Sequence, residues 1–244
     1  MKTFGKYLSI AFLLFFGFAC APQVSSVTKE CIVNADQTTL FKGHWVVHPV
    51  PLAVEAVDFS ASELTELQAA IGKWNDFFDS SKGFKLYLSG SSSLTLVNAG
   101  GTRITKSNVC SQSIVTPSGF SNSIKIYKTT SGWTYGTQIM ALTSLCPVTT
   151  PSDQYRQFVA AVMEINFQNY FVAGTPQPDL QSIVVHELGH VLGLDHSCNG
   201  SACANVPVEY TDAVMYPALG FNGIYGVVKQ AVTTNDQQRA NCLY

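Results

Sequence analysis

The chain has 244 residues, enough for one or two domains, and it carries a net charge of −2 with only 12% of residues charged. That balance excludes the clustered basic surface of a nucleic-acid binder. Gly, Ser, Thr and Asn are plentiful instead, a composition common among exported proteins.

The N-terminus reads as an export signal. Lys2 and Lys6 form a positive start, and residues 7–18 are a twelve-residue apolar run, too short to span a bilayer comfortably as a helix. Small residues follow at Ala19, Cys20 and Ala21. Two cuts are open. Gly17 to Cys20 resembles a degenerate bacterial lipobox, in which Cys20 becomes a lipidated first residue. Ala19 and Ala21 also frame an ordinary A-x-A site, but Pro22 would follow that cut and proline is poorly accepted there. The first is preferred, so residues 1–19 are expected to be a signal peptide and the mature chain a cell-envelope lipoprotein; plain secretion is the other outcome. Residues 20–40 are polar and without periodicity, a tether and lead-in segment. Residues 41–244 read as one domain, with no internal repeat and no low-complexity block.

A helix is predicted after Ser60. Ser60 and Glu63 make a capping box, each side chain satisfying a free backbone N–H at the helix start. Leu64, Leu67, Ile71, Trp74 and Phe78 then share one face at spacings of three and four, and Gly83 ends the segment. This stripe is core packing. Strand-like runs follow at residues 84–88, 123–127, 137–142 and 159–167, the last two separated by a loop around Pro147 and Pro151. A second helix is predicted over Leu180–Leu192, with Asp179 as N-cap and Gly193 as the left-handed stop. Helix, strands, helix gives an α/β (α+β) layered architecture.

Seven cysteines are present. Either cut sets Cys20 apart and leaves an even set: Cys31, Cys110, Cys146, Cys198, Cys203 and Cys242. In an oxidising compartment these pair as disulfides, with fifteen possible connectivities. Cys198 and Cys203, close in sequence, are the one pairing expected. A second metal site is disfavoured, because no C-x-x-C occurs and histidines are missing nearby.

The chemistry lies on the second helix. His186, Glu187, His190, Gly193 and His196 spell H-E-x-x-H-x-x-G-x-x-H. Residues four apart on a helix lie on one face, so His186 and His190 project side by side. Gly193 lets the chain turn sharply and bring His196 back as a third ligand. Three imidazoles can hold one zinc with a fourth position open to water. Glu187, beside the metal, can act as general base. Three surface or packing histidines are the bland alternative, disfavoured because three of only five histidines sit at ligand spacing. His44 and His48 are assigned no role.

This pattern resembles the metzincin zinc peptidases, which also carry a methionine turn beneath the metal. Ala213, Val214, Met215, Tyr216 and Pro217 look like the matrixin version of that turn. Met163 to Asn166 resembles the strand before the zinc helix, and the segment from Thr234 to Tyr244 a short C-terminal helix. The likeness covers roughly residues 41–244. It implies a zincin fold: a twisted mixed sheet with two long helices, then a mostly irregular C-terminal subdomain after Gly193. Substrate would lie along an edge strand, expected near residues 137–142. The pocket accepting the residue after the cut would be walled by residues 217–221. Met215 would support the site without binding metal, Tyr216 would help stabilise the transition state or, as is commoner in this form of the turn, be structural, and Asp195 would tune His196 or shape a turn. The expected cofactor is one catalytic zinc. The expected partners are protein or peptide substrates, with no nucleic acid, membrane contact only through a lipid anchor, and a monomeric state.

There are departures. Cys31 lacks the Arg-Cys-Gly context of a matrixin pro-segment switch. Acidic calcium loops are missing too, so neither structural calcium nor a second zinc is carried over. The expected function is a zinc metalloendopeptidase that hydrolyses peptide bonds with a zinc-activated water and Glu187 as base. The rival is a non-catalytic surface binding or adhesion module that keeps the metallopeptidase fold, and Glu187 argues against it. A third reading, a self-processing toxin or predation factor, is still an enzyme with a narrow target.

Overall fold

A computed structural model describes residues 31–54, 58–88, 97–98, 103–111, 123–149, 154–174, 177–199, 203–218, 221–222, 225–226 and 228–244. The segment expected to be a signal peptide, Cys20 and the first part of the expected tether lie outside the described residues, as does part of the expected wall at residues 217–221.

Strands β1 (Leu52–Val54), β2 (Val97–Asn98), β3 (Ser123–Thr129), β4 (Ala141–Val148) and β5 (Gln157–Asn166) form one sheet in the order β2-β1-β3-β5-β4. Neighbours run parallel except β4, which pairs antiparallel with β5 and ends the sheet as an edge strand. Helices α1 (Ala61–Lys82) and α2 (Leu180–Leu192) cover one face. After α2 come a single-turn helix α3 (Val208–Asp212), a two-stranded ribbon β6–β7 (Phe221–Asn222, Tyr225–Gly226) and a C-terminal helix α4 (Thr234–Leu243). This is the expected mixed α+β architecture with two long helices.

The period of two explains the layering. On β5, Ala161, Met163 and Ile165 face the helices, joining Ile124 and Ile126 of β3 with Leu67, Ile71, Trp74 and Phe78 of α1. The alternate residues Ala160 and Val162 face the other way, under Ile104 and Val109 of the segment 103–111. Cys110–Cys146 ties that cover to β4. With both faces covered, β5 reads as a nearly continuous apolar run.

Both helix starts follow their sequence signals. Ser60 and Glu63 form the capping box, and Gly83 closes α1 at φ 73°. Asp179 caps α2 by accepting from the backbone N–H of Ser182 at 2.8 Å. Three strand expectations need correction. The strand expected to end at residue 142 runs on to Val148, so Pro147 lies inside it, past a register shift, and not in the expected loop. The edge strand begins at Ala141, not at residue 137; residues 137–140 form a turn and an extended approach, with Ile139 N–H bonded to Gly136 O. Residues 84–88 contribute only one isolated bridge, Val50 to Tyr87, because the Asn75 side chain occupies both backbone groups of Tyr87.

The lead-in segment is held from Cys31 onward. Cys31 is joined to Cys242, Gln37 is buried and donates to Ser197 O at 2.6 Å, and Asn34 donates to the Tyr210 hydroxyl at 2.8 Å. Among the described residues no helix is long and apolar enough to cross a membrane.

Candidate metal centre

Helix α2 is buried almost throughout, and four aromatic donors fix it from three directions. Trp74 and Trp45 indole N–H groups donate to Val185 O at 2.9 Å and Val191 O at 2.8 Å. The Tyr87 and Tyr244 hydroxyls donate to Leu188 O at 2.7 Å and Leu192 O at 2.8 Å. Each satisfies a buried polar group that would otherwise be costly. The result is a helix with little freedom to rotate, and its two histidines inherit that rigidity.

Two glycines let the elements around α2 approach. Gly193 ends the helix at φ 116°, and a Cβ there would meet Gly43 O at 1.8 Å. The backbone pairs at this contact, with Lys42 N–H bonded to Gly193 O at 2.8 Å. Gly189, between the two helical histidines, has no room for a side chain, because a Cβ would sit 2.1 Å from Met215 Sδ. Met215 is fully buried and packs directly under the helix at the position expected of it.

The structure brings His186, His190 and His196 together, with one potential ligand atom from each lying within 4.8 Å of the others. Their ring centroids are 4.8–5.3 Å apart. Backbone carbonyls orient the helical pair: His186 Nδ1 meets Val214 O at 2.6 Å, and His190 Nδ1 meets Leu194 O at 2.8 Å. A carbonyl can only accept, so Nδ1 carries the proton and Nε2 keeps its lone pair. Burial pulls all three rings below their ordinary range, His190 to about 4, with the neighbouring rings adding to the effect on His186 and His190. Three neutral nitrogen donors suit zinc. Donors on a tetrahedral zinc at 2.0–2.1 Å per bond stand about 3.4 Å apart, so binding would draw the three rings together.

Glu187 is buried and points to the same cleft. Its Oε2 accepts from the Thr143 hydroxyl at 2.6 Å. Burial pushes its carboxyl up to about 7, against the opposing pull of the Thr143 hydrogen bonds. The cleft holds about 410 Å³ and is bounded by Thr143, Glu187 and the three histidines, with residues 138–142 and Pro217 along its sides. It therefore runs beside the free edge of β4.

Several supporting residues were not singled out by the sequence. The Asp236 carboxylate is fully buried and accepts from Val214 N–H at 2.9 Å and Met215 N–H at 3.2 Å, fastening the methionine turn to α4. Arg239 is also fully buried and donates to Asp195 O at 2.8 Å and His196 O at 3.1 Å. Ser197 N–H donates to Met215 O at 2.7 Å. The Asp195 carboxylate accepts from its own neighbour, the His196 N–H, at 3.0 Å, pairs with Lys42 at 2.5 Å and pulls the pKa of the His196 ring upward against its burial. Tyr216 lies under the Lys229 ammonium at 4.7 Å, a structural contact. Cys198 and Cys203 form the expected small disulfide loop beyond His196. Asp179, Asp236 and Glu63 each recur at helix starts, a signal sequence reading can find; the partners of Asp236 and Arg239 across the fold have no local signature.

Comparison with known proteins adds the family. No curated protein sequence matches the chain. Among solved structures, metalloproteinase-II from Bacteroides fragilis is similar at 18% identity and a TM-score of 0.38, over 86% of this chain and 58% of that one, so the chain spans little more than half its length. That likeness is too distant to bear on activity. The family profile described as Matrixin, peptidase family M10, matches residues 121–244, just over half the chain and the part that contains α2, the three histidines, the methionine turn and α4. The chain belongs to the matrixin family of zinc-dependent metallopeptidases.

Proposed function

We propose that this protein is an exported zinc endopeptidase that cuts protein or peptide chains laid along β4. The observation that supports it best is the convergence of three neutral histidines and a buried glutamate in one cleft beside a strand edge that is unpaired among the described residues. His186, His190 and His196 would hold the ion and Glu187 would act as base. Zinc, when bound, supplies a Lewis acid that acidifies water and polarises a carbonyl.

The chain's own groups do the rest. The free edge of β4 offers backbone N–H and C=O groups to an extended peptide, which adds to the sheet as a further strand. Glu187, raised to about 7, is matched to proton transfer near neutral pH: it takes a proton from the attacking water and returns it to the leaving amine. The Thr143 hydroxyl holds the carboxylate in place and leaves its other oxygen for that exchange. Met215 and Gly189 set the height of the histidine pair above the methionine turn. The three disulfides accord with an oxidising compartment, which favours export; a lipid anchor on Cys20 and a monomeric state complete the reading.

The test is direct. The purified protein should hold one zinc per chain and cleave a casein or peptide library in a chelator-sensitive manner. Glu187→Ala should keep the zinc and lose hydrolysis by at least about a hundredfold, the usual scale for a general base. Unchanged turnover in that variant would rule the mechanism out.

A further inference from the structure

A second hollow, of about 300 Å³, continues the cleft past His190. Thr143 and His190 belong to both hollows, so the two are consecutive stations along β4. Thr143 and Leu145 line the second one by the strand's alternation, and Pro147 joins them past a register shift between Cys146 and Pro147. Its floor is apolar, from Leu145, Pro147, Phe158 and Leu194. Its charged groups are Lys42, Arg156 and Asp195. Lys42 is already engaged with Asp195 at 2.5 Å. Arg156 is exposed and has no carboxylate partner among the described residues. The hollow therefore carries one cation in excess over an apolar floor.

We propose that this hollow selects substrates with a glutamate or aspartate two to four residues before the cut, and that Arg156 is the residue that determines the preference. The inference rests on the peptidase reading above and on Pro217 marking the side of the cleft that receives the residue after the cut. Thr143 touches Glu187 and so stands beside the scissile bond. Leu145 follows it by two residues, about 7 Å along a strand at 3.3 Å per residue, and Pro147 comes next beyond the register shift. They lie on the side away from Pro217. A peptide paired with β4 thus places its second to fourth residues over the hollow. The methylene stem of a glutamate suits the apolar floor while its carboxylate reaches the guanidinium at the rim.

The experiment separates pocket from catalysis. Zinc-loaded Glu187→Ala protein is titrated with paired fluorescent peptides that differ only in Glu or Lys at these positions. The glutamate peptide should bind about fivefold more tightly, the upper range for a partly exposed ion pair. Adding Arg156→Glu should erase or invert the difference, and Arg156→Gln should reduce it, with thermal melting unchanged in both because the side chain is exposed. Equal binding of the two peptides, or a preference that survives Arg156→Glu, overturns the proposal. Cut-site mapping with the wild-type enzyme supplies the direction: acid enriched before the cut supports the assignment, and acid enriched only after the cut overturns it. A preference in binding without any cleavage by the wild type would sink the hydrolytic reading and leave the role of Arg156 standing.

Discussion

The three histidines are held by two different kinds of structure. His186 and His190 stand on α2, a regular helix whose carbonyls are gripped by Trp45, Trp74, Tyr87 and Tyr244. His196 stands on an irregular segment after Gly193, where no helix fixes its position. Its place depends on a web of long-range bonds: Arg239 to the carbonyls of Asp195 and His196, Ser197 to Met215, and Asp236 to the methionine turn. The helix makes two ligands rigid through local periodicity, and the web makes the third rigid only after the C-terminus has docked. Damage to the web should therefore cost the third ligand first and loosen His186 through its bond to Val214 O, with His190 the last affected.

The largest effect is expected for Asp236→Ala. It leaves two buried backbone N–H groups of the methionine turn without an acceptor and removes a carboxylate from beside Arg239. Loss of one partner from a buried charged network costs about 3–5 kcal/mol. Thermal unfolding should show it, and zinc affinity should fall further than for any change on the far side of α2. A melting point within a degree or two of wild type would break the comparison.

Acid comes next, and it tests both kinds of structure at once. All three rings titrate below the ordinary 6.5 in the folded state, His190 near 4. The unfolded chain takes up these protons from about pH 6.5 downward, while the folded, metal-free protein resists further, at His190 until near pH 4. The histidines' contribution to the stability of the metal-free protein is thus complete above pH 6.5 and declines as pH falls, levelling off below about 4 for His190, while Glu187, raised to about 7, works the other way and offsets part of that loss between about pH 7 and 4.5. Protons also compete with the metal for the same nitrogens, so zinc release should follow acidification in that range. Chemical denaturation at several pH values, with and without zinc, reads both effects.

Tyr87→Phe sharpens the helical side of the comparison. It removes one hydroxyl and leaves Leu188 O without that donor, at a cost of about 1–2 kcal/mol. Stability should fall while the zinc stoichiometry stays at one, because the other three donors still hold the helix. Smallest of all is Lys42→Ala. Lys42 is half exposed, and its pairing with Asp195 contributes less than about 1 kcal/mol. A loss of the third histidine's ligation in this variant would show that Asp195, not Arg239, governs His196.

The same division explains what could be read from the sequence. Everything local was legible: the capping box of Ser60 and Glu63, the Asp179 cap, the Gly193 stop, the i, i+4 histidine pair and the short Cys198–Cys203 loop. Backbone chemistry within a few residues determines each of these. The edge strand started four residues later than expected, because residues 137–142 are apolar enough for a strand but Gly136 and Ile139 close a turn first. Residues 84–88 alternate like a strand, yet Asn75 takes the backbone of Tyr87. The remaining pairings, Cys31–Cys242 and Cys110–Cys146, bridge 211 and 36 residues and have no local mark. Asp236, Arg239 and Thr143 were missed for the same reason: each acts on a partner at least 21 residues away.

X-ray absorption at the zinc edge on the purified protein is the most direct check. One zinc per chain with three nitrogen neighbours at about 2.0–2.1 Å, one of them lost in His196→Ala, is the expected outcome. A metal bound with fewer than three imidazoles in the wild type, or a spectrum unaltered by that substitution, would contradict it.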